Sequence, residues 1–345
     1  MHTKGILYTV LSAVLFGITP LITRAVYGYG ANSMTVVFYR SLFVIPMLAA
    51  IMKGRHISFS ISAHDLRNTG IIAIFGSGLT TILLFTSYSY IDVGCATTLH
   101  FLYPVFVSLL CFAVYHEILS RRKLTALSLA LLGALCFFDL SNSGSMLGLL
   151  LAAGSGLTYA FYMVQLEKTR LSHQNAYKIS FYLAIFILLE TLVYHLLFSS
   201  IQFILPWNAY GLILLLSLVS SFLAVVLLQK GIQYLGSSTA SLFCLFEPVT
   251  SVVCGALFLK EALTPAKIIG CCIIFTALII MSRAVKIMQG TAYSGFFLSF
   301  LKIHPILHDD MGIGKNYDIM KTENSLFMKE SHGTIEPCQY SRNRR

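Results

Sequence analysis

Long apolar stretches alternate with short polar segments from the N-terminus to about residue 287. A run of about 20 apolar residues can cross the hydrocarbon core of a bilayer as an α-helix. The pattern therefore predicts ten membrane-spanning helices, at Gly5–Val26, Ser33–Met52, Thr69–Tyr90, Gly94–Tyr115, Leu124–Leu140, Met146–Leu166, Ala176–Phe198, Ala209–Gln229, Ser237–Leu259 and Pro265–Ser282.

The composition agrees with a membrane location. Hydrophobic residues make up 57% of the chain and charged residues 11%, and the mean hydropathy is +0.78, whereas about a quarter of the residues in a soluble domain are charged. We infer an all-α integral membrane protein whose partners are membrane lipid and a small-molecule solute. In a membrane protein, the distribution of basic residues between the loops sets the topology. The net charge of +10 is therefore not a sign of nucleic-acid binding, and no nucleic-acid partner is expected. A homodimer is left open.

The second half of the pattern repeats the first at a spacing of 144 residues, and an internal repeat of this kind decides the architecture. The matched positions are Tyr90 with Tyr234, Ala96 with Ala240, Pro104-Val105 with Pro248-Val249, Glu117 with Glu261, and Lys123 with Lys267. We predict two homologous five-helix units over residues 1–143 and 144–286. A polar cytoplasmic tail over residues 287–345 is expected to be mostly disordered.

Basic residues are distributed unequally between the two sets of loops. With the N-terminus in the cytoplasm, thirteen lie inside and three outside, a strong bias under the positive-inside rule. The inside residues are Lys4, Lys53, Arg55, Arg67, Arg121, Arg122, Lys123, Lys168, Arg170, Lys178, Lys230, Arg283 and Lys286, and the outside residues are Arg24, Lys260 and Lys267. Both termini are therefore expected in the cytoplasm, and a cell membrane, such as a bacterial inner membrane, is the expected location.

An odd number of helices per repeat places equivalent loops on opposite sides of the membrane. The loop after Tyr115 is predicted inside, and its counterpart after Leu259 is predicted outside. Many secondary transporters have this architecture, with a site near the midplane between the halves. The predicted fold class is thus ten transmembrane helices arranged as two inverted five-helix repeats.

Sequence motifs for other functions are missing. Seven of the eight cysteines lie inside apolar runs and no Cys-x-x-Cys occurs, which favours small buried side chains over disulfides or metal ligands. No Gly-x-x-x-x-Gly-Lys-Ser/Thr, His-Glu-x-x-His or Gly-x-Ser-x-Gly motif occurs. We expect no enzymatic activity, no catalytic residue, no cofactor and no metal, and energy from a gradient or from the substrate itself.

Four short segments resemble the EamA-type transporters of the drug/metabolite transporter superfamily, although Trp-Gly is commoner there than Phe-Gly. They are Phe16-Gly17 with Pro20, Phe38-Tyr39-Arg40, Pro104-Val105-Phe106 through His116-Glu117, and Glu247-Pro248-Val249 through Lys260-Glu261-Ala262-Leu263-Thr264. The resemblance covers about residues 5–284, and the tail after Gln289 has no counterpart in it. It implies a ten-helix inverted-repeat carrier that moves small metabolites such as amino acids, often outward. It does not fix the substrate.

Charged groups at membrane depth are costly and usually face a bundle interior or a cavity. Glu247 lies near the middle of the ninth predicted helix, directly before Pro248, which is expected to kink the helix. The repeat places His100 and Tyr103 on the equivalent face of the fourth helix. We hypothesise that His100, Tyr103 and Glu247 line a common central cavity, which Tyr159 is deep enough to reach. Interhelical hydrogen bonding is the structural alternative for Glu247 and for His100.

Arg40 could bind a substrate carboxylate through its bidentate guanidinium group. Alternatively, it extends to the outer interface or pairs with an acid at a helix end such as Asp92 or Asp139. Glu190 and His195 have no equivalents in the other repeat, and we interpret them as structural.

A carboxyl group in apolar surroundings is disfavoured in its ionised form. Glu247 could therefore bind a proton in one facing state and release it in the other. The predicted function is a secondary-active exporter of small metabolites, with alternating access and proton coupling at Glu247. An uncoupled facilitator or exchanger of metabolites or drugs stays open. A receptor fits less well because signalling needs no inverted halves, and a membrane enzyme fits less well because the catalytic motifs are missing.

Overall fold

The structure is a computed structural model that describes residues 2–87, 90–91, 93–117, 120–136, 145–198, 201–259 and 264–287. Within these ranges the chain forms helices and no strand. The helices are α1 (His2–Tyr27), α2 (Ser33–Gly54), α3 (Ala63–Ser87), α4 in two segments (Val93–His100 and Tyr103–Tyr115), α5 (Arg121–Leu135), α6 (Met146–Lys168), α7 (Ala176–Phe198), α8 (Trp207–Leu235), α9 in two segments (Ser237–Cys244 and Phe246–Leu259) and α10 (Pro265–Ile287). The tail predicted beyond residue 287 lies outside the described residues.

Nine of the helices in the described part of the chain are long and apolar enough to cross a membrane. The tenth helix, α5, is described over 15 residues and packs along α10, its equivalent in the other repeat. The protein is therefore an all-α multi-pass membrane protein with ten helices, as the hydrophobic pattern predicts.

Polar caps fix where several helices begin. The Asn32 side chain accepts the backbone N–H of Thr35 at 2.9 Å and caps α2, and the Ser62 hydroxyl caps α3 in the same way. The first N–H groups of a helix have no partner within it, so such caps stabilise the first turn. α3 begins at Ala63, six residues before the predicted start at Thr69. The prediction is too late because the first turns of α3 are polar, and a hydrophobic pattern does not detect them.

Helical irregularities recur at equivalent positions of the two repeats. A π-helical segment occurs at Ile72–Gly78 in α3 and at Ser217–Ala224 in α8. The first segment of α4 ends at His100, and the first segment of α9 ends 144 residues later at Cys244. The repeat seen in the sequence is thus also a repeat of local backbone structure.

Proline explains the interruptions in α4 and α9. It has no N–H for the carbonyl four residues earlier, and its ring clashes with that turn. In a continuous helix the ring of Pro248 would clash with the carbonyl group of Cys244, four residues earlier. The helix is interrupted between these two residues, at Leu245. The distortion predicted at Glu247-Pro248 lies slightly earlier, and Glu247 itself belongs to the first turn of the second segment.

The packing between the repeats follows a two-fold pattern. α2 packs on α7, α5 on α10 and α4 on α9, so each of these helices contacts its own equivalent. α1 packs on α8 and α9 in the way that α6 packs on α3 and α4. A Cβ added at Gly5 would lie 2.7 Å from Tyr234 Cβ, and one added at Gly148 would lie 2.7 Å from Tyr90 Cβ. Small residues in α1 and α6 therefore allow equivalent close approaches between helices.

The two repeats are inverted with respect to each other. Gly5 lies against Leu235, and the next residue, Gly236, faces Glu167 near the C-terminal end of α6. Gly148, which makes with Tyr90 the contact that Gly5 makes with Tyr234, lies at the opposite end of α6. Equivalent residues thus lie at opposite ends of the bundle.

We call the end of the bundle where α6 ends the Lys168 end, and the end where α1 ends the Tyr27 end. A buried apolar cluster occupies the bundle toward the Lys168 end. Its largest members include Tyr103, Met163, Leu166, Leu171, Ile179, Leu228 and Ile232.

Candidate substrate cavity

A cavity of about 680 Å³ lies between the two repeats. α1 to α4 of the first repeat and α6 to α9 of the second contribute to its wall. The wall extends from Tyr159 and Tyr162 in the middle of the bundle to Tyr27 and Gly255 at the Tyr27 end. Cavities of roughly 300–1,000 Å³ bind small molecules, so this cavity is large enough for a metabolite.

Glu247 brings a carboxyl group to the cavity wall. It is half-buried, and among the described residues no hydrogen bond or ion pair of its side chain is found. It lies in the first turn of the second α9 segment, directly after the interruption of the helix. Gly17 of α1 lies against the backbone of this turn, where a Cβ would lie 2.7 Å from the Glu247 carbonyl oxygen. The close contact with α1 fixes where the carboxyl group enters the cavity.

Arg40 brings a guanidinium group to the same wall from α2. It is half-buried, and within the described ranges no carboxylate lies at ion-pair distance from it. The alternative partners Asp92 and Asp139 lie outside the described residues. The guanidinium group thus faces a space that a ligand could occupy.

His100 lines the cavity at the end of the first α4 segment. Its Nδ1 lies 2.9 Å from Ser155 Oγ on α6, and the Ser155 hydroxyl lies 2.6 Å from the carbonyl oxygen of Ala152. The simplest assignment has the hydroxyl donating to Ala152 while Nδ1–H donates to Ser155. His100 therefore makes an interhelical hydrogen bond, which is the structural alternative given above, and it also contributes to the cavity wall.

Two tyrosines, Tyr103 and Tyr159, pack against His100 where the cavity ends, and a third, Tyr162, packs against Tyr159. Tyr159 lies 5.4 Å from the His100 ring and 4.9 Å from the Tyr103 ring, and it stacks on Tyr162 at 5.8 Å, all measured between centroids. Tyr159 and Tyr162 line the cavity. Tyr103 is 0% exposed and lies behind these rings, in the core. The structure thus brings Arg40, His100, Tyr159 and Glu247 to one cavity and places Tyr103 next to it.

Two residues of the cavity wall, Ser77 and Ser221, are not identified by the sequence analysis. They lie 144 residues apart in the two π-helical segments, and both line the cavity. π-helical segments often occur at functional sites. The repeat spacing would have matched the two serines, but the irregular backbone that surrounds them leaves no signal in the hydrophobic pattern.

Glu190 and His195 are not among the cavity residues. The Glu190 carboxylate packs against Gly78 of α3. His195 Nδ1 accepts the backbone N–H of Ile201 at 2.9 Å. These contacts support the structural interpretation of both residues, which stays a prediction.

The sequence matches the model of the EamA-like transporter family over residues 3–138 and 146–283. An uncharacterized transporter of the cyanobacterium Synechocystis sp. is 26% identical over 304 residues, which cover 79% of this chain and 92% of that protein. The uncharacterized transporter YcbK of Bacillus subtilis is 23% identical over 279 residues, covering 77% of this chain and 89% of that protein.

A solved crystal structure has a similar fold. It superposes with a TM-score of 0.70 at 14% sequence identity and covers 84% of this chain and 100% of its own. At this identity the similarity shows the fold alone.

Proposed function

The chain belongs to the EamA-like transporter family and is a membrane transporter, and from this premise we propose a secondary-active exporter of small metabolites such as amino acids. The observation that carries the proposal is the cavity between two inverted repeats, with Arg40 and Glu247 on its wall. A midplane cavity between inverted repeats is where secondary transporters bind their substrates.

We assign the chemistry of the substrate from the two charged groups. A guanidinium group binds a carboxylate through two parallel hydrogen bonds, so Arg40 is assigned to the carboxylate. Glu247 would accept a cationic or hydrogen-bonding group of the same molecule, or a proton. His100 and Tyr159 would pack against the remainder of the substrate.

The asymmetry of the cavity supports alternating access. Its wall reaches the Tyr27 end, whereas the core around Tyr103 fills the bundle toward the Lys168 end. The basic residues expected on the cytoplasmic side, among them Lys53 and Lys168, lie at the Lys168 end. We therefore assign this end to the cytoplasm. The state described is then open to the outside of a cell membrane, with both termini in the cytoplasm.

Proton coupling is assigned to Glu247. When the cavity is open to the outside, the carboxylate would take up a proton after the substrate leaves. When the cavity is open to the cytoplasm, it would release this proton as the next substrate binds. One proton would thus enter for each substrate exported.

The test is transport by purified protein in proteoliposomes under an imposed pH gradient. A thermal-shift screen against amino acids, nucleosides, polyamines and drug-like cations first selects the solute. Glu247→Gln is expected to abolish gradient-driven transport while leaving some solute exchange, and a pH dye inside the vesicles should report no solute-dependent proton flux. Glu190→Gln, which changes a carboxyl group outside the cavity, is the matched control and should retain coupling.

Undiminished gradient-driven transport by Glu247→Gln would contradict the coupling role. Arg40→Lys keeps the charge and loses the bidentate geometry. It should weaken binding of a carboxylate solute and leave an uncharged solute unaffected. Equal loss for both kinds of solute would remove Arg40 from substrate recognition.

A further inference from the structure

A polar cluster lies at the Lys168 end, outside the cavity. The Lys168 ammonium donates hydrogen bonds to the carboxylate of Glu117 and, at 3.1 Å, to that of Glu167. The other oxygen of Glu167 accepts the backbone N–H of Ser237 at 2.6 Å and its hydroxyl at 2.5 Å. The four residues form one continuous network, which we call the polar latch.

The polar latch crosses the boundary between the repeats. Glu117 follows the second segment of α4 in the first repeat. Glu167 and Lys168 end α6, and Ser237 begins α9, both in the second repeat. These helices carry His100, Tyr159 and Glu247 of the cavity wall. The latch therefore joins the Lys168 ends of three helices that must separate if the cavity is to open there.

The core under the latch closes the path to the cavity. Cys111 and Ser108 of α4 face Ser237 and Ser238 of α9, with contacts of 3.6 Å and 3.5 Å. Cys111, Ser108 and Ser238 are at most 3% exposed. A solute could pass between α4 and α9 only if these contacts were lost together with the latch.

The exposure of the latch suits a reversible contact. The side chains of Lys168 and Glu117 are 21% and 32% exposed, so water can solvate both charges when they separate. A fully buried pair would leave uncompensated charges on opening and would be costly to break. A fully exposed pair would contribute little to closure.

A metal site is a weaker explanation of the same residues. Ligand atoms of Cys111, Glu117 and Glu167 lie within 4.8 Å of one another. The Lys168 ammonium, however, already donates to both carboxylates, so a positive group occupies the place where a cation would bind.

The geometry points to the Glu117–Lys168–Glu167–Ser237 latch as the contact that holds the Lys168 end closed while the cavity is open to the Tyr27 end. The inference rests on the alternating access proposed above. When the cavity opens at the Lys168 end, the Lys168–Glu117 pair separates. Loss of the latch should shift the population toward that second state.

Two reporter cysteines test this shift in nanodiscs, where both ends of the protein are accessible to a small water-soluble thiol reagent. Both are introduced into protein whose native cysteines are replaced. Ser238→Cys lies under the latch, and Ser251→Cys lines the cavity. With Lys168→Met, labelling at 238 should rise and labelling at 251 should fall. We expect a change of about ten-fold in the ratio of the two rates, which corresponds to about 1.4 kcal/mol.

Lys168→Arg keeps the charge and should leave both rates near those of the unaltered latch. Lys53→Ala removes an exposed charge from the same end and is the matched control. If Lys168→Met does not assemble, Glu117→Gln removes the same ion pair and is measured instead. Unchanged rates at both reporters would overturn the latch, whereas failure to label Ser251→Cys with the latch intact would contradict the proposed cavity itself.

Discussion

Replacing Gly17 by alanine is expected to force α1 away from the second segment of α9, beside Glu247. An added Cβ would lie 2.6 Å from Thr250 Cβ and 2.7 Å from the Glu247 carbonyl oxygen. Both distances are shorter than van der Waals contact, and a backbone carbonyl cannot rotate away as a side chain can. Gly17 is thus the residue that allows α1 to pack directly on the turn that positions the carboxyl group.

The magnitude follows from comparing Gly17→Ala with Gly154→Ala. A Cβ at Gly154 would meet only Leu83 Cδ1, at an ordinary distance of 3.6 Å. Alanine is favoured over glycine inside a helix by about 1 kcal/mol, and this gain is common to both variants. Their difference isolates the steric term, which for an overpacked contact is about 1–3 kcal/mol. Gly154→Ala should be neutral or stabilising, and Gly17→Ala should be less stable than it by this amount.

The free energy of unfolding can be compared by titrating both variants from mild detergent into SDS and following the loss of helix packing by tyrosine fluorescence. Equal midpoints and slopes for Gly17→Ala and Gly154→Ala would refute the close contact between α1 and α9. A loss of stability in both variants would show that glycine is needed for helix packing in general.

Two further predictions concern other parts of the protein. With the Lys168 end in the cytoplasm, a membrane-impermeant maleimide applied to whole cells should label Tyr29→Cys and leave Arg55→Cys unlabelled, and the reverse result would reverse the orientation. His195→Ala removes the acceptor of the Ile201 N–H and should lower the free energy of unfolding by about 1 kcal/mol without affecting transport. A selective loss of transport would instead give His195 a functional role.

The architecture could be predicted from the sequence because its determinants are periodic. Apolar runs mark the membrane spans, and the spacing of 144 residues relates Pro104 to Pro248 across the repeats. An odd number of helices per repeat then requires inversion. The start of α3 was not predictable in this way, since the polar turns from Ala63 to Asn68 are fixed by the Ser62 cap and by a hydrogen bond from Gln174 to Asp65.

The cavity could be predicted only in part. A charge inside an apolar run is visible in the sequence, so Arg40 and Glu247 were candidates. Whether a side chain faces a cavity or lies behind it depends on helix rotation of a few tens of degrees, which the hydrophobic pattern does not resolve. Tyr103 illustrates the difference, because it lies one turn from His100 and yet is completely buried.

The repeat conserves the scaffold of the cavity but not its charges. The position equivalent to Arg40 is Ala184, which also lines the cavity, and the position equivalent to Glu247 is Tyr103. Each of these two charges therefore occurs once, although the helices that carry them occur twice. A symmetric scaffold lets the two facing states be similar in energy, because each half can adopt the conformation of the other. In the proposed transporter, single, unlike charges would give the cavity one orientation for a dipolar substrate. The scaffold would then determine alternating access, and the charges would determine selectivity.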